Sequence, residues 1–203
     1  MAGLAQSNDL FFSTLTVRDG LPSNIISNVC QDQHGFIWVG TDIGLARYDG
    51  YRFKHFKKKQ SVQSLPSNEI NVLVSIDDYL WVGTWDGLCK INTQSFVIER
   101  VDIGPSRAVR TLHAGKDNIL WVGTGNGLIQ LNTHTGKYRI FDQHNSELSH
   151  NTVRSIYEDE NGLIVKIDLP GFKRDEIKIS IEEDILSIRA KRMEPEDERL
   201  GTI

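Results

Sequence analysis

Trp38-Val39-Gly40-Thr41 is written again as Trp81-Val82-Gly83-Thr84 and as Trp121-Val122-Gly123-Thr124, at separations of 43 and 40 residues. Each copy has the same sequel: Asp42-Ile43-Gly44-Leu45, Trp85-Asp86-Gly87-Leu88 and Gly125-Asn126-Gly127-Leu128. Leu-Pro-Ser-Asn precedes the first two copies, at 21–24 and 65–68, and Leu148-Ser149-His150-Asn151 echoes it ahead of a fourth. Within one unit the pattern is that of short strands and tight turns. Strands are expected at 25–31, 36–41, 45–48 and 51–56, with turns at Gln33-His34-Gly35, Asp42-Ile43-Gly44 and Asp49-Gly50. Four strands in every ~40–45 residues is the period of a β-propeller blade.

The glycines divide into two kinds. Gly44, Gly87 and Gly127 stand where tight turns need a positive φ. Gly40, Gly83 and Gly123 stand in mid-strand, where a missing side chain marks the close approach of a neighbour. The tryptophan two residues before each of these packs between blades, with its indole N–H seeking a partner. Trp38, Trp81 and Trp121 therefore read as core residues.

The block 19–24, then 31–41, then 44–50 (DGLPSN, QDQHGFIWVGT, GLARYDG) resembles the regulator-propeller repeats of bacterial hybrid two-component sensors. The resemblance covers about residues 10–164. It implies a periplasmic propeller that detects an extracellular signal, often a glycan fragment, and passes its state to a histidine kinase in a membrane-anchored parent. No apolar run here approaches the roughly 18–20 residues of a membrane span.

The repeat breaks after Ile164. From Asn24 to Trp38 is 14 residues and from Asn68 to Trp81 is 13; counting 14 from Asn151 reaches Val165, where Val165-Lys166-Ile167-Asp168 replaces the expected motif. Residues 165–203 carry charge at 18 of 39 positions, against 32 of 164 before them, a shift that signals a different module. Val165–Phe172 (VKIDLPGF), Asp175–Ile179 (DEIKI) and Asp184–Arg192 (DILSIRAKR) resemble the first half of the α-crystallin domain of small heat-shock proteins. Alternation of Val165, Ile167 and Leu169, and of Ile177, Ile179 and Ile181, gives strands in their own right. Three strands of a sandwich cannot bury both faces, so the domain is incomplete. The expected organisation is all-β: partial propeller over 1–164, with three clear blades and part of a fourth, then a short β-sandwich-like segment over 165–203. A divergent fourth blade is the competing reading of 165–203, and docking of those strands on the third blade as a cap is compatible with either.

A net charge of −4 and a pI near 5.9 argue against nucleic acid as a partner. Met1–Ser7 is too short for a signal peptide; Ala5-Gln6 reads as a cleavage-site remnant or as an ordinary terminus. Cys30 and Cys89 read as free thiols, with one disulfide as the alternative in an exported protein. No spacing among the six histidines suits a metal, no nucleophile motif or cofactor motif occurs, and the chain does not read as an enzyme. Lys57-Lys58-Lys59 ends the outer strand of the first unit, where lysines protect an edge, with an anionic-ligand patch as the weaker alternative.

Binding is the stronger reading. In a propeller the turns between second and third strands gather at one end with the blade-to-blade connections, here 60–67, 103–108 and 142–150. Trp85 is not demanded by the repeat, whose register neighbours are Asp42 and Gly125. An aromatic ring beside carboxylates and amides suits a sugar face, so Trp85, Asp86, Asp42, Asn126, Arg107 and His144 are the candidate ligand residues, for a small-molecule or oligosaccharide signal. An open blade edge also predicts self-association, and unpaired strands in 165–203 allow an interaction or chaperone-like role with the propeller as scaffold.

Overall fold

The computed structural model describes residues 13–158, together with the backbone of three later strands, 163–167, 177–182 and 185–190. Apart from one 3₁₀ turn at Val17–Asp19, the described residues form only strands, turns and loops. Blade 1 holds β1 (Ile26–Gln31), β2 (Ile37–Thr41), β3 (Gly44–Tyr48) and β4 (Phe53–Phe56). Blade 2 holds β5 (Ile70–Ile76), β6 (Tyr79–Thr84), β7 (Gly87–Asn92) and β8 (Ile98–Val101). Blade 3 holds β9 (Val109–Ala114), β10 (Ile119–Thr124), β11 (Gly127–Asn132) and β12 (Tyr138–Phe141). Each is an antiparallel meander with neighbouring strands paired in chain order. The expected strands are present, with ends shifted by no more than two residues.

The first strands stand side by side: β5 lies against β1 and β2, and β9 lies against β5 and β6. β13 (Val153–Glu158) lies in turn against β9 and β10. The core is consequently divided into slabs between blades. One joins Trp38, Leu45 and Phe56 to Ile70, Leu73 and Leu80; the next joins Val72, Trp81 and Leu88 to Val109, Leu112 and Leu120. A third joins Leu128 to Val153 and Ile156, with Trp121 half-buried against it.

The mid-strand glycines make these slabs close. A Cβ on Gly40 would lie 2.6 Å from Ile70 Cγ2, one on Gly83 2.5 Å from Val109 Cγ1, and one on Gly123 2.8 Å from Val153 Cγ1. In each case the first residue of the next blade's first strand fills the room that glycine leaves. The Trp38 indole N–H donates to Asp32 Oδ2 at 2.8 Å, giving the buried ring its expected polar partner.

The fourth unit begins as the others do. β14 (Leu163–Ile167) pairs with β13 through Tyr157↔Ile164 and Ile156↔Val165. Those pairs correspond to His113↔Trp121 and Leu112↔Val122 of blade 3. Ile164, and not Val165, therefore takes the tryptophan position, because the fourth unit follows the 13-residue spacing of the second. Lys166 takes the glycine position and Ile167 the threonine position. The later strands do not complete this sheet: β15 (Ile177–Glu182) and β16 (Ile185–Ala190) pair with each other. Leu169, Pro170-Gly171 and the tail beyond Ala190, on which part of the crystallin-like reading rests, lie outside the described residues.

Candidate functional site

The turn between the second and third strands is built identically in all three blades. Thr41, Thr84 and Thr124 are fully buried. Their hydroxyls donate to the carbonyls of Gly44, Gly87 and Gly127 at 2.7, 2.8 and 2.9 Å. The same oxygens accept from the amides of Ile43, Asp86 and Asn126. Gly44, Gly87 and Gly127 have φ of 149°, 130° and 124°, as the turn chemistry required. Each turn is thus fixed from within, and its two outer residues can vary without loosening it.

In blade 2 those two residues are Trp85 and Asp86. Trp85 is 52% exposed, although its amide donates to the Glu69 carbonyl at 3.1 Å. The Arg110 guanidinium carbon lies 5.8 Å from the centre of its ring, within cation–π range. Asp86 lies 3.6 Å from Lys58 Nζ on one side and 3.6 Å from Arg107 Nη1 on the other. Lys58 belongs to the connection entering blade 2 and Arg107 to the connection leaving it, so turn and connections converge at one end of the arc.

Three of the six sequence-derived residues, Trp85, Asp86 and Arg107, come together there. Asp42 sits in the turn of blade 1, with Oδ1 buried and accepting no hydrogen bond among the described residues. Asn126 and His144 are exposed in blade 3 and its outgoing connection. The Asn126 amide is held by Thr124 and the His144 amide by Asp142. Among the described residues, no hydrogen bond or ion pair ties these three to the Trp85 cluster.

One residue of the cluster, Arg110, escaped the sequence reading, and Lys58 entered it only as an edge lysine or part of a weaker anionic-ligand patch. β4 ends at Phe56, so Lys58 lies beyond the strand rather than on its edge, and it reaches Asp86 of the next blade. Arg110 is the extra residue of a β-bulge, where Val109 opposes Thr124 and Thr111 opposes Gly123. The same bulge recurs at Ser27, Asn71 and Arg154. The bulge residue changes from Ser to Asn to Arg between units, so the bulge leaves no fixed residue in the sequence. A nitrogen on Arg110, Nε, is buried and donates to no described group.

The two-component regulator propeller family model matches residues 20–42, and the Hsp20/alpha crystallin family model matches residues 155–203. Over 53 residues the chain is 38% identical to histidine kinase P4 of Formosa agariphila, an overlap of 26% of this chain and 4% of that protein. Over 44 residues it is 36% identical to a chloroplastic small heat shock protein of Solanum lycopersicum, covering 22% of this chain and 19% of that one. The fold matches the crystal structure of the extracellular domain assigned to a hybrid two-component system of B. thetaiotaomicron. That match has a TM-score of 0.73 and 22% identity over 89% of this chain and 26% of the other. The chain spans a small part of each of these proteins. Both resemblances seen in the sequence therefore have a counterpart, and the blades share the fold of that extracellular domain. The crystallin-type match begins at residue 155, inside β13, so the two likenesses overlap on a strand that the propeller register claims.

Proposed function

We propose that residues 1–164 are a ligand-sensing portion of a bacterial two-component sensor and that residues 165–203 are a separate, incomplete α-crystallin-type module. In this reading the blades work on the periplasmic side of a membrane-anchored parent and bind without catalysing. Trp85 carries the proposal. It is a large exposed ring on a rigid turn, placed where the repeat does not ask for an aromatic, with Arg110 against it and Asp86 held between Lys58 and Arg107. That arrangement offers a flat apolar surface with donors and acceptors at its rim, which suits the face of a sugar ring. Asp42, Asn126 and His144 extend the same end of the arc as secondary contacts for a longer oligosaccharide.

Calorimetric titration of neutral and acidic oligosaccharides tests this. The expected result is measurable binding by the wild-type chain and at least a ~10-fold weaker affinity for Trp85→Ala, roughly 1.4 kcal/mol. Equal affinity of the two proteins would remove Trp85 from the site. Self-association belongs to the same reading, through the outer edge of β14, which pairs with no further described strand.

The isolated β15–β16 pair, together with the crystallin-type match, favours a second role: recruitment of unfolded chains by edge pairing. Suppression of client aggregation should then vanish on deletion of 165–203. Suppression that survives the deletion excludes it.

A further inference from the structure

Gly125 stands where the turn of blade 1 has Asp42 and the turn of blade 2 has Trp85. Neither backbone nor packing asks for a glycine there. Its φ lies outside the left-handed region. A Cβ built on it would meet, apart from its chain neighbours, only Arg110 Nε at 3.8 Å and Nη2 at 3.9 Å. Those are ordinary contact distances, unlike the crowding at Gly40, Gly83 and Gly123. Arg110 therefore faces two turns: the bare one of its own blade, and that of blade 2, whose exposed Trp85 ring has its centre 5.8 Å from the guanidinium carbon. The arginine does no stitching between blades. Asn71, at the same bulge of blade 2, donates from Nδ2 to the Val109 carbonyl at 2.8 Å. Arg110 donates to no described group; its Nε is buried, and its Nη groups stay open to solvent. The ion pairs beside it leave it out as well, since Lys58 and Arg107 share Asp86 at 3.6 Å each. Three cations thus meet around one carboxylate.

We propose that the room beside Gly125, over Arg110, is a subsite for an anionic substituent, a carboxylate or a sulfate, on a sugar whose face rests on Trp85. The assignment rests on the sugar-binding reading of Trp85 and narrows it to acidic oligosaccharides. A guanidinium presents paired N–H donors in a plane, which match two oxygens of either anion. The Trp85 ring against Arg110 holds that plane near the place where a stacked sugar would lie. Lys58 and Arg107 are not needed as direct contacts. With only Asp86 between them they leave positive charge in excess, which draws an anion towards the turn before contact. Gly125 is the residue that sets the preference, because any side chain there would take the room above the guanidinium. Aspartate, which blade 1 has in this register, would give Arg110 a carboxylate from within the chain and fill the subsite with it.

Calorimetry on the full chain tests this with trigalacturonate, its methyl ester, a sulfated disaccharide and maltotriose. Wild type is expected to bind at least one of the two acidic probes ~10-fold or more tightly than either neutral one. That preference should shrink as sodium chloride is raised, since salt screens it. Arg110→Gln and Gly125→Asp should each abolish the preference while leaving the neutral probes bound as before. Trp85→Ala should weaken all four. Urea midpoints close to that of wild type show that the variants are folded. A response to one acidic probe alone supports the subsite and identifies carboxylate or sulfate as its anion. Equal affinity for charged and neutral probes overturns the anionic subsite and leaves the sugar-binding reading standing. A preference that survives both Arg110→Gln and Gly125→Asp does the same. Binding of no probe, or binding that Trp85→Ala leaves unchanged, overturns both.

Discussion

The Asp32 carboxylate accepts the Trp38 indole N–H at 2.8 Å, with both residues buried. It also accepts the amides of His34 at 2.9 Å and Phe36 at 3.0 Å. One side chain thereby closes the β1–β2 hairpin and fixes the tryptophan that blade 2 packs on. Replacing Asp32 by alanine strands three donors, and the expected loss is about 2–4 kcal/mol. A lowered urea midpoint with a red-shifted tryptophan emission checks it; Asp32→Asn should retain part of the stability.

Gly83→Ala isolates packing from backbone strain, because Gly83 is not in the left-handed region. The new methyl would meet Val109 Cγ1 at 2.5 Å and Val72 Cγ1 at 2.6 Å. Crowding of that kind costs about 1–3 kcal/mol. Val109→Ala should be destabilising alone and yet relieve Gly83→Ala in the double mutant. Strict additivity in denaturant unfolding would show that the two residues do not share the gap.

Thr84 ties the turn that carries Trp85 to the fold without facing solvent. Thr84→Val keeps its shape but deletes the hydroxyl that donates to Gly87 and accepts from Asp86. A loss of about 1–2 kcal/mol is expected, with a change in the emission of the exposed Trp85, while Thr84→Ser remains close to wild type in both.

Cys89 lies fully buried between blades 1 and 2. Burial pushes its thiol up from the ordinary 9.0 to about 12, with Arg100 opposing weakly. The folded chain thus holds this proton more tightly than the unfolded chain does. Its contribution to stability is fully present below pH 9 and is lost as the pH rises from there towards 12. Urea midpoints across that window should fall more steeply for wild type than for Cys89→Ala, and a thiol reagent at pH 8 should find Cys89 only after unfolding.

What could be read from the chain and what could not follow different physics. The turn glycines, the mid-strand glycines and the tryptophans are demanded by backbone geometry and close packing, so they recur and announce the blades. Trp85 was found as a departure from that recurrence, and Asp86 and Arg107 by their place in the turn and the blade-to-blade connection. Lys58 and Arg110 were not, since one acts across a blade boundary and the other stands at a bulge whose place recurs while its residue does not. The position of Ile164 was missed by one residue because the hairpin length varies between units while the strand pairing does not. Thr41, Thr84 and Thr124 were visible as repeats, but their service to the turn needs three dimensions to appear.

Among the described residues each blade docks only onto its immediate neighbours, so these blades are energetically a short row. Stability in such a row is local and cumulative. Amide protons should exchange slowest in β5 to β7, supported from both sides, and progressively faster outward as blades peel from either end.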